Sequence, residues 1–186
     1  MSEYHSLSSQ LTQVSASLTP ITGSQLESLS GALPSDYLEF LKDFGPGLLN
    51  EFFEFRNPFT VVSETTSVLN TWKQFEDDLL NDPSWPDNLF TTLKCTWADL
   101  RERLLMFALT TNGDYMFFDR RGPNPSQWPI VVTGSWPAKS EVFLGSFAAF
   151  VLALSKGMFS SRIFPDDYAE RNSYRGIPAA TSHNSM

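Results

Sequence analysis

Apolar residues follow a helical period through the first half of the chain and an extended one through much of the second. Gly23 to Leu33 predicts a short helix with Leu26 and Leu29 inward and Ser24 as its N-cap. Gly31 weakens its end, and Pro34 holds Leu33 in an extended step. A second helix opens at Pro34 or Ser35. Tyr37, Phe40, Leu41 and Phe44 then recur at i, i+3, i+4 and i+7, and Gly45-Pro46-Gly47 stops it. Leu48 to Phe55 is aromatic and acidic and reads as a strand, or as a tight loop leading into one. Thr66 to Asn81 predicts the longest helix, with Leu69, Trp72, Phe75 and Leu79 roughly in line. In that frame Glu76, Asp77 and Asp78 fall near a helix C-terminus and oppose its dipole. Asp82 to Asn88 is a turn-rich link, and Leu93 to Arg103 carries no clear period.

From Leu104 onward the pattern is that of a sheet. Leu104–Thr110 and Tyr115–Asp119 predict two strands joined through Asn112-Gly113, a strong hairpin signal. Trp128–Thr133 and Glu141–Leu144 predict two more. Ser146 caps a last helix carrying Phe147, Phe150, Val151 and Leu154 on one face and ending at Gly157. Helices followed by strands and a closing helix make an α+β domain, with a central, mainly antiparallel sheet packed by N-terminal helices and a C-terminal helix. The expected organisation is a flexible lead over residues 1–21, one domain over 22–157, and an irregular extension over 158–186 whose last ten or so residues are mobile.

Composition narrows the function. The 186 residues are 41% hydrophobic and include 16 Phe, enough for one real core. No apolar run approaches the roughly 18 residues that cross a bilayer, and residues 1–22 lack the basic and apolar regions of a signal peptide. A single Cys95 excludes an internal disulfide, and no glycosylation sequon occurs, so a cytoplasmic location with no membrane partner is expected. The net charge of −8 is uneven: residues 22–90 hold twelve acids against three bases, Lys42, Arg56 and Lys73. That field disfavours nucleic acid and favours a basic protein partner; ordinary solubility charge is the plainer explanation.

Candidate chemistry is sparse. The two histidines, His5 and His183, lie near the chain ends, which argues against zinc and against Ser-His-Asp or Cys-His mechanisms. No phosphate-binding glycine loop occurs. Asp77/Asp78 and Asp166/Asp167 are sequence neighbours that point apart on regular structure, and Asp114 reads as a turn residue before Asp119. Arg101/Arg103 and Arg120/Arg121 are the only basic clusters. A non-catalytic protein without cofactor or metal is therefore expected, with a carboxylate-based enzyme as the competing class.

Three segments resemble the SUKH superfamily of Smi/Knr-like domains. Leu33-Pro34-Ser35-Asp36-Tyr37-Leu38-Glu39-Phe40-Leu41 is similar to its helix opening, although Asp43-Phe44-Gly45-Pro46-Gly47 lacks the Asn of the usual following turn. Phe107 to Asp119 resembles its strand–turn–strand, and Ser146-Phe147 with Phe150 resembles its closing helix. The resemblance spans about residues 20 to 157, and the stretch from Pro58 to Lys94 fits it least. It implies an immunity protein whose partner is a cognate secreted bacterial toxin, a nuclease or another effector domain. The alternative is a regulatory protein-interaction module like the fungal cell-wall regulators. The acids expected to contact a partner are Glu39, Asp43, Glu51, Glu54, Glu76, Asp77 and Asp78, with exposed Trp or Phe as anchors.

Overall fold

The computed structural model describes residues 3–13, 21–169 and 173–176. The helices are α1 (Glu3–Gln10), α2 (Gly23–Glu27), α3 (Ser35–Phe44), α4 (Val61–Lys73), α5 (Glu76–Asn81), α6 (Leu89–Leu93), α7 (Trp97–Arg103) and α8 (Phe147–Ser155). The strands are β1 (Thr12–Gln13), β2 (Gly47–Leu49), β3 (Phe53–Phe55), β4 (Leu104–Thr110), β5 (Tyr115–Asp119), β6 (Ile130–Thr133), β7 (Ser140–Phe143) and β8 (Ser173–Gly176). They form one sheet in the order β1-β8-β2-β3-β4-β5-β6-β7, antiparallel throughout except for the β1–β8 pair. This is the expected α+β architecture.

Alternation along the strands sorts the core into two layers. Leu105, Phe107, Met116, Phe118, Ile130 and Val132 meet the rings and aliphatic chains of α1, α3 and α8 on one face. Leu104, Met106, Phe117 and Val131 meet Leu69, Trp72, Leu79, Leu89, Leu93 and Leu100 on the other. A bulge between Met106 and Ala108 puts Phe107 and Ala108 in the same layer. Thr65 supports it from α4, accepting from the Met106 N–H at 2.9 Å.

Two of the helices in the first layer, α3 and α8, are tied by one carboxylate. Asp36, in the first turn of α3, accepts from its neighbour's backbone N–H and, at 2.8 Å, from the Ala148 N–H in the first turn of α8. Ser146 caps α8 through the Ala149 N–H at 3.1 Å, as the sequence predicts. On α2 the cap is Thr22 rather than Ser24, in a reciprocal capping box with Gln25.

Several elements differ from the sequence reading. Residues 3–13, read as part of a flexible lead, carry α1 and β1. Tyr4, Leu7 and Leu11 share one face of that segment and are buried; residues 14–20 lie outside the described residues. The region 158–186, read as irregular, buries Phe164, Tyr168 and Tyr174 and inserts β8 between β1 and β2. Backbone pairing holds β8 in place, so its sequence carries little signal. The mobility expected of the last ten residues falls outside the described residues.

Leu48 to Phe55 is a hairpin of two short strands. Asn50 and Glu51 both take positive φ, 55° and 57°, and the Phe52 N–H donates to the Leu49 carbonyl at 3.0 Å. This is the turn for which Asn-Gly is preferred. Replacing Glu51→Gly should therefore stabilise the chain by about 1 kcal/mol, read as a higher urea midpoint at unchanged slope. A lower midpoint would mean that contacts of the Glu51 side chain outweigh the backbone strain. The Asn112-Gly113 hairpin also has a three-residue loop but a different backbone. Thr110 and Asp114 close it and Gly113 alone takes positive φ, 85°.

Candidate partner-binding surface

The helix expected over Thr66–Asn81 is two helices. The chain leaves helical geometry at Phe75, where φ is −117° and ψ 15°, and the Phe75 N–H reaches back to the Trp72 carbonyl. The cause is tertiary. Phe75 turns out of line to pack edge-on against Trp136, with ring centroids 4.4 Å apart. This break reverses the electrostatic reading of the acids after it. Glu76, Asp77 and Asp78 form the first turn of α5, at the positive end of a helix, and favour it.

The same break opens a hollow of about 400 Å³ on the second face of the sheet, between α4, the start of β5 and the β6–β7 turn. Trp72, Phe75, Tyr115 and Trp136 give it four aromatic walls, with Val68 and Ser135 between them. Trp85 backs Trp136 at 6.0 Å, and Trp72 meets Tyr115 edge-on at 5.4 Å. Phe75 is 37% exposed although it is a large apolar side chain, and Leu80 on the adjoining helix is 54% exposed. Sequence reasoning anticipated aromatic anchors without identifying them. Phe75 carried the only signal, a helical position that the tertiary structure leaves half outside.

The seven acids do not form one patch. Glu39 and Asp43 lie on α3 over the first layer, where the Tyr4 hydroxyl donates to the Glu39 carbonyl and to the Asp43 carboxylate. That hydroxyl is held protonated well beyond its ordinary range, by burial first and by Asp43 second. Beside them a shallower hollow of about 200 Å³ is lined by Leu26, Leu38, Glu39 and Lys42. Glu51 sits at the tip of the β2–β3 hairpin. Glu54 points from β3 to the opposite face, where Arg56 pairs with both Glu54 and Glu64. Glu76, Asp77 and Asp78 adjoin the aromatic hollow through α5, and Glu76 pairs with Lys73. The hollow and the α5 acids therefore share one face, while Glu39 and Asp43 face the other way.

The Arg56 bridge fastens β3 to α4. Burial raises the Glu64 pKa, but the hydrogen bonds from Arg56 and Thr60 outweigh it, so the carboxyl is held below its ordinary 4.5. The folded chain thus binds this proton less tightly than the unfolded chain. The contribution is complete above the unfolded value and fades as pH falls through the folded one. Glu64→Gln should destabilise by roughly 1–2 kcal/mol at pH 7, allowing for partial exposure. The difference from the parent chain should narrow below about pH 4 in paired urea titrations. A pH-independent difference would contradict this assignment.

Three of the four basic residues read from the sequence hold the structure together, and Arg101 is exposed. Asp119 is fully buried and receives Arg103 through two bonds of 2.9 and 2.8 Å, with Arg121 as a third donor. Arg120 donates to the Glu102 and Arg103 carbonyls at the end of α7. Asp114 is buried, accepts from the Thr110 hydroxyl at 2.8 Å, and accepts from the Ser135 N–H at 3.3 Å. Both carboxylates thus have structural partners. Among the described residues, no three His, Cys, Asp or Glu side chains gather as metal ligands would, and no helix is long and apolar enough to cross a membrane.

These features define an α+β domain clad on both faces by helices, with an aromatic hollow open beside an acidic helix. The model of the SMI1-KNR4 cell-wall family (SUKH_6) matches residues 26–151, and the chain belongs to that family. The match runs from α2 to α8, so α1, β1 and β8 lie outside it. No curated protein and no solved structure matches the chain.

Proposed function

We propose that the chain is a non-catalytic immunity protein that binds and neutralises a cognate secreted bacterial toxin, a nuclease or another effector domain, in the cytoplasm. The observation that carries this reading is the aromatic hollow beside the α5 acids in a chain of net charge −8. Family membership supports it. An acidic surface speeds encounter with a basic substrate cleft, and recessed rings supply the desolvated anchor that resists dissociation. Inhibition then needs only occupancy of the partner, with no covalent step.

The description of the matching family as cell-wall favours a second reading, a regulatory module that works through protein contacts. Affinity capture on the tagged chain, from the cells that encode it, separates the two. One stoichiometric partner that associates more slowly at high salt is the expected result. Several substoichiometric partners would move the assignment to a regulator. Charge reversal at Glu39, Asp43, Glu51, Glu54, Glu76, Asp77 and Asp78 together should slow association with the captured partner. Unchanged binding would remove the electrostatic part of the proposal.

A further inference from the structure

The aromatic hollow on the second face has a definite chemical preference. Trp72, Phe75, Tyr115 and Trp136 present four aromatic rings to it, and no Lys or Arg is among its lining residues. Acidic residues flank its lining in sequence. Asp77 and Asp78 stand exposed on α5, two and three positions after Phe75. Asp114 lies directly behind the lining, bonded to the Ser135 N–H and adjacent in sequence to Tyr115, and it has no ion-pair partner among the described residues. Lys73, the base nearest in sequence on α4, is held elsewhere. It pairs with Glu76, and its ammonium sits 5.3 Å from the centre of the Trp97 ring.

We infer that this hollow takes an arginine side chain from a basic segment of the partner protein. Aromatic faces attract a cation, and a planar guanidinium stacks on them while keeping its edge donors free. Those donors meet the negative field of the α5 acids. An apolar anchor would gain the rings but nothing from Asp77, Asp78 or Asp114. A nucleic acid phosphate would find no cationic partner among the lining residues. The inference rests on the reading of the chain as a partner-binding protein and specifies what that partner must present.

The test uses the full chain labelled with 15N at its five tryptophans, whose indole N–H signals resolve both faces of the molecule. The probes are a blocked pentapeptide of alternating glycine and arginine, its citrulline counterpart of the same shape without charge, and its leucine counterpart. The arginine peptide should shift the Trp72, Trp85 and Trp136 signals and leave Trp128, in the other layer, unmoved. It should bind about five- to ten-fold more tightly than the citrulline peptide. A Phe75→Leu/Trp136→Leu double variant with an unchanged melting temperature should lose that preference. Equal or tighter binding of the leucine peptide would overturn the inference, as would shifts centred on Trp128 or no shift at millimolar peptide. Failure of the peptide test with a stoichiometric protein partner still captured would sink this inference alone. Arginine selectivity with no such partner would instead sink the immunity reading.

Discussion

Replacing Asp119→Ala is expected to destabilise the chain by about 3–5 kcal/mol, because it strands a guanidinium against a buried site. Asp119 is fully buried in a strand that is apolar on both sides. Its two oxygens are saturated by the paired donors of Arg103 and by Arg121. Removing the carboxylate leaves Arg103, only 21% exposed, without its counter-charge and frees the end of α7 from β5. Arg120 depends on the same arrangement, since the carbonyls it caps belong to Glu102 and Arg103. Asp119→Asn should cost nearly as much, because an amide keeps the shape but turns two donors toward the arginines. For a domain of this size the alanine change should lower the melting temperature by roughly 10 °C. A loss under 1 kcal/mol would show that the network makes little net contribution.

A comparable loss, about 3–5 kcal/mol, is expected for Tyr174→Ala. The residue lies far outside the family match, yet its ring is fully buried against Phe40, Phe44 and Phe55 at 5.3, 5.4 and 6.2 Å. Its hydroxyl donates to the Gly45 carbonyl at 2.5 Å, fixing the turn that ends α3. Tyr174→Phe keeps the ring and removes that donor, so it should cost about 1–3 kcal/mol through the unsatisfied carbonyl. Truncation after Ala169 should match or exceed the alanine variant, since it also strips β8 from between β1 and β2. A truncated chain as stable as the parent would mean that the sheet is complete without this segment.

The contrast between these two residues shows what was legible in the sequence. Asp119 sits at the end of a strand whose bounds, Tyr115–Asp119, follow from extended apolar patterning after a turn. The bounds of β4 and the caps and buried face of α8 were readable in the same way. Elements held by long-range contacts were not. Ser173-Tyr174-Arg175-Gly176 has one apolar residue in four and becomes a strand because β1 and β2 offer it backbone partners and the core buries Tyr174. The α1 segment did carry a signal, Tyr4, Leu7 and Leu11 on one face, but it stands among Ser and Gln residues that mask it.

The candidate site was half visible for the same reason. Its acids could be listed from the sequence, but which of them share a face depends on the layers of the fold. Glu39 and Asp43 fall on one side and Glu76 to Asp78 on the other. The aromatic hollow exists because Phe75 leaves the helical line to meet Trp136, a residue 61 positions away in a turn between β6 and β7. Helical periodicity predicts the opposite, an uninterrupted helix with the acids at its unfavourable end.

The most direct test of the account is a growth measurement on cells that express the captured partner, with and without this chain. The immunity reading predicts that the partner alone arrests growth and that the chain restores it. It also predicts that the Phe75→Leu/Trp136→Leu variant, folded and equally abundant, restores it poorly. A partner that is harmless when expressed alone, or toxicity that the chain leaves undiminished, would contradict the assignment.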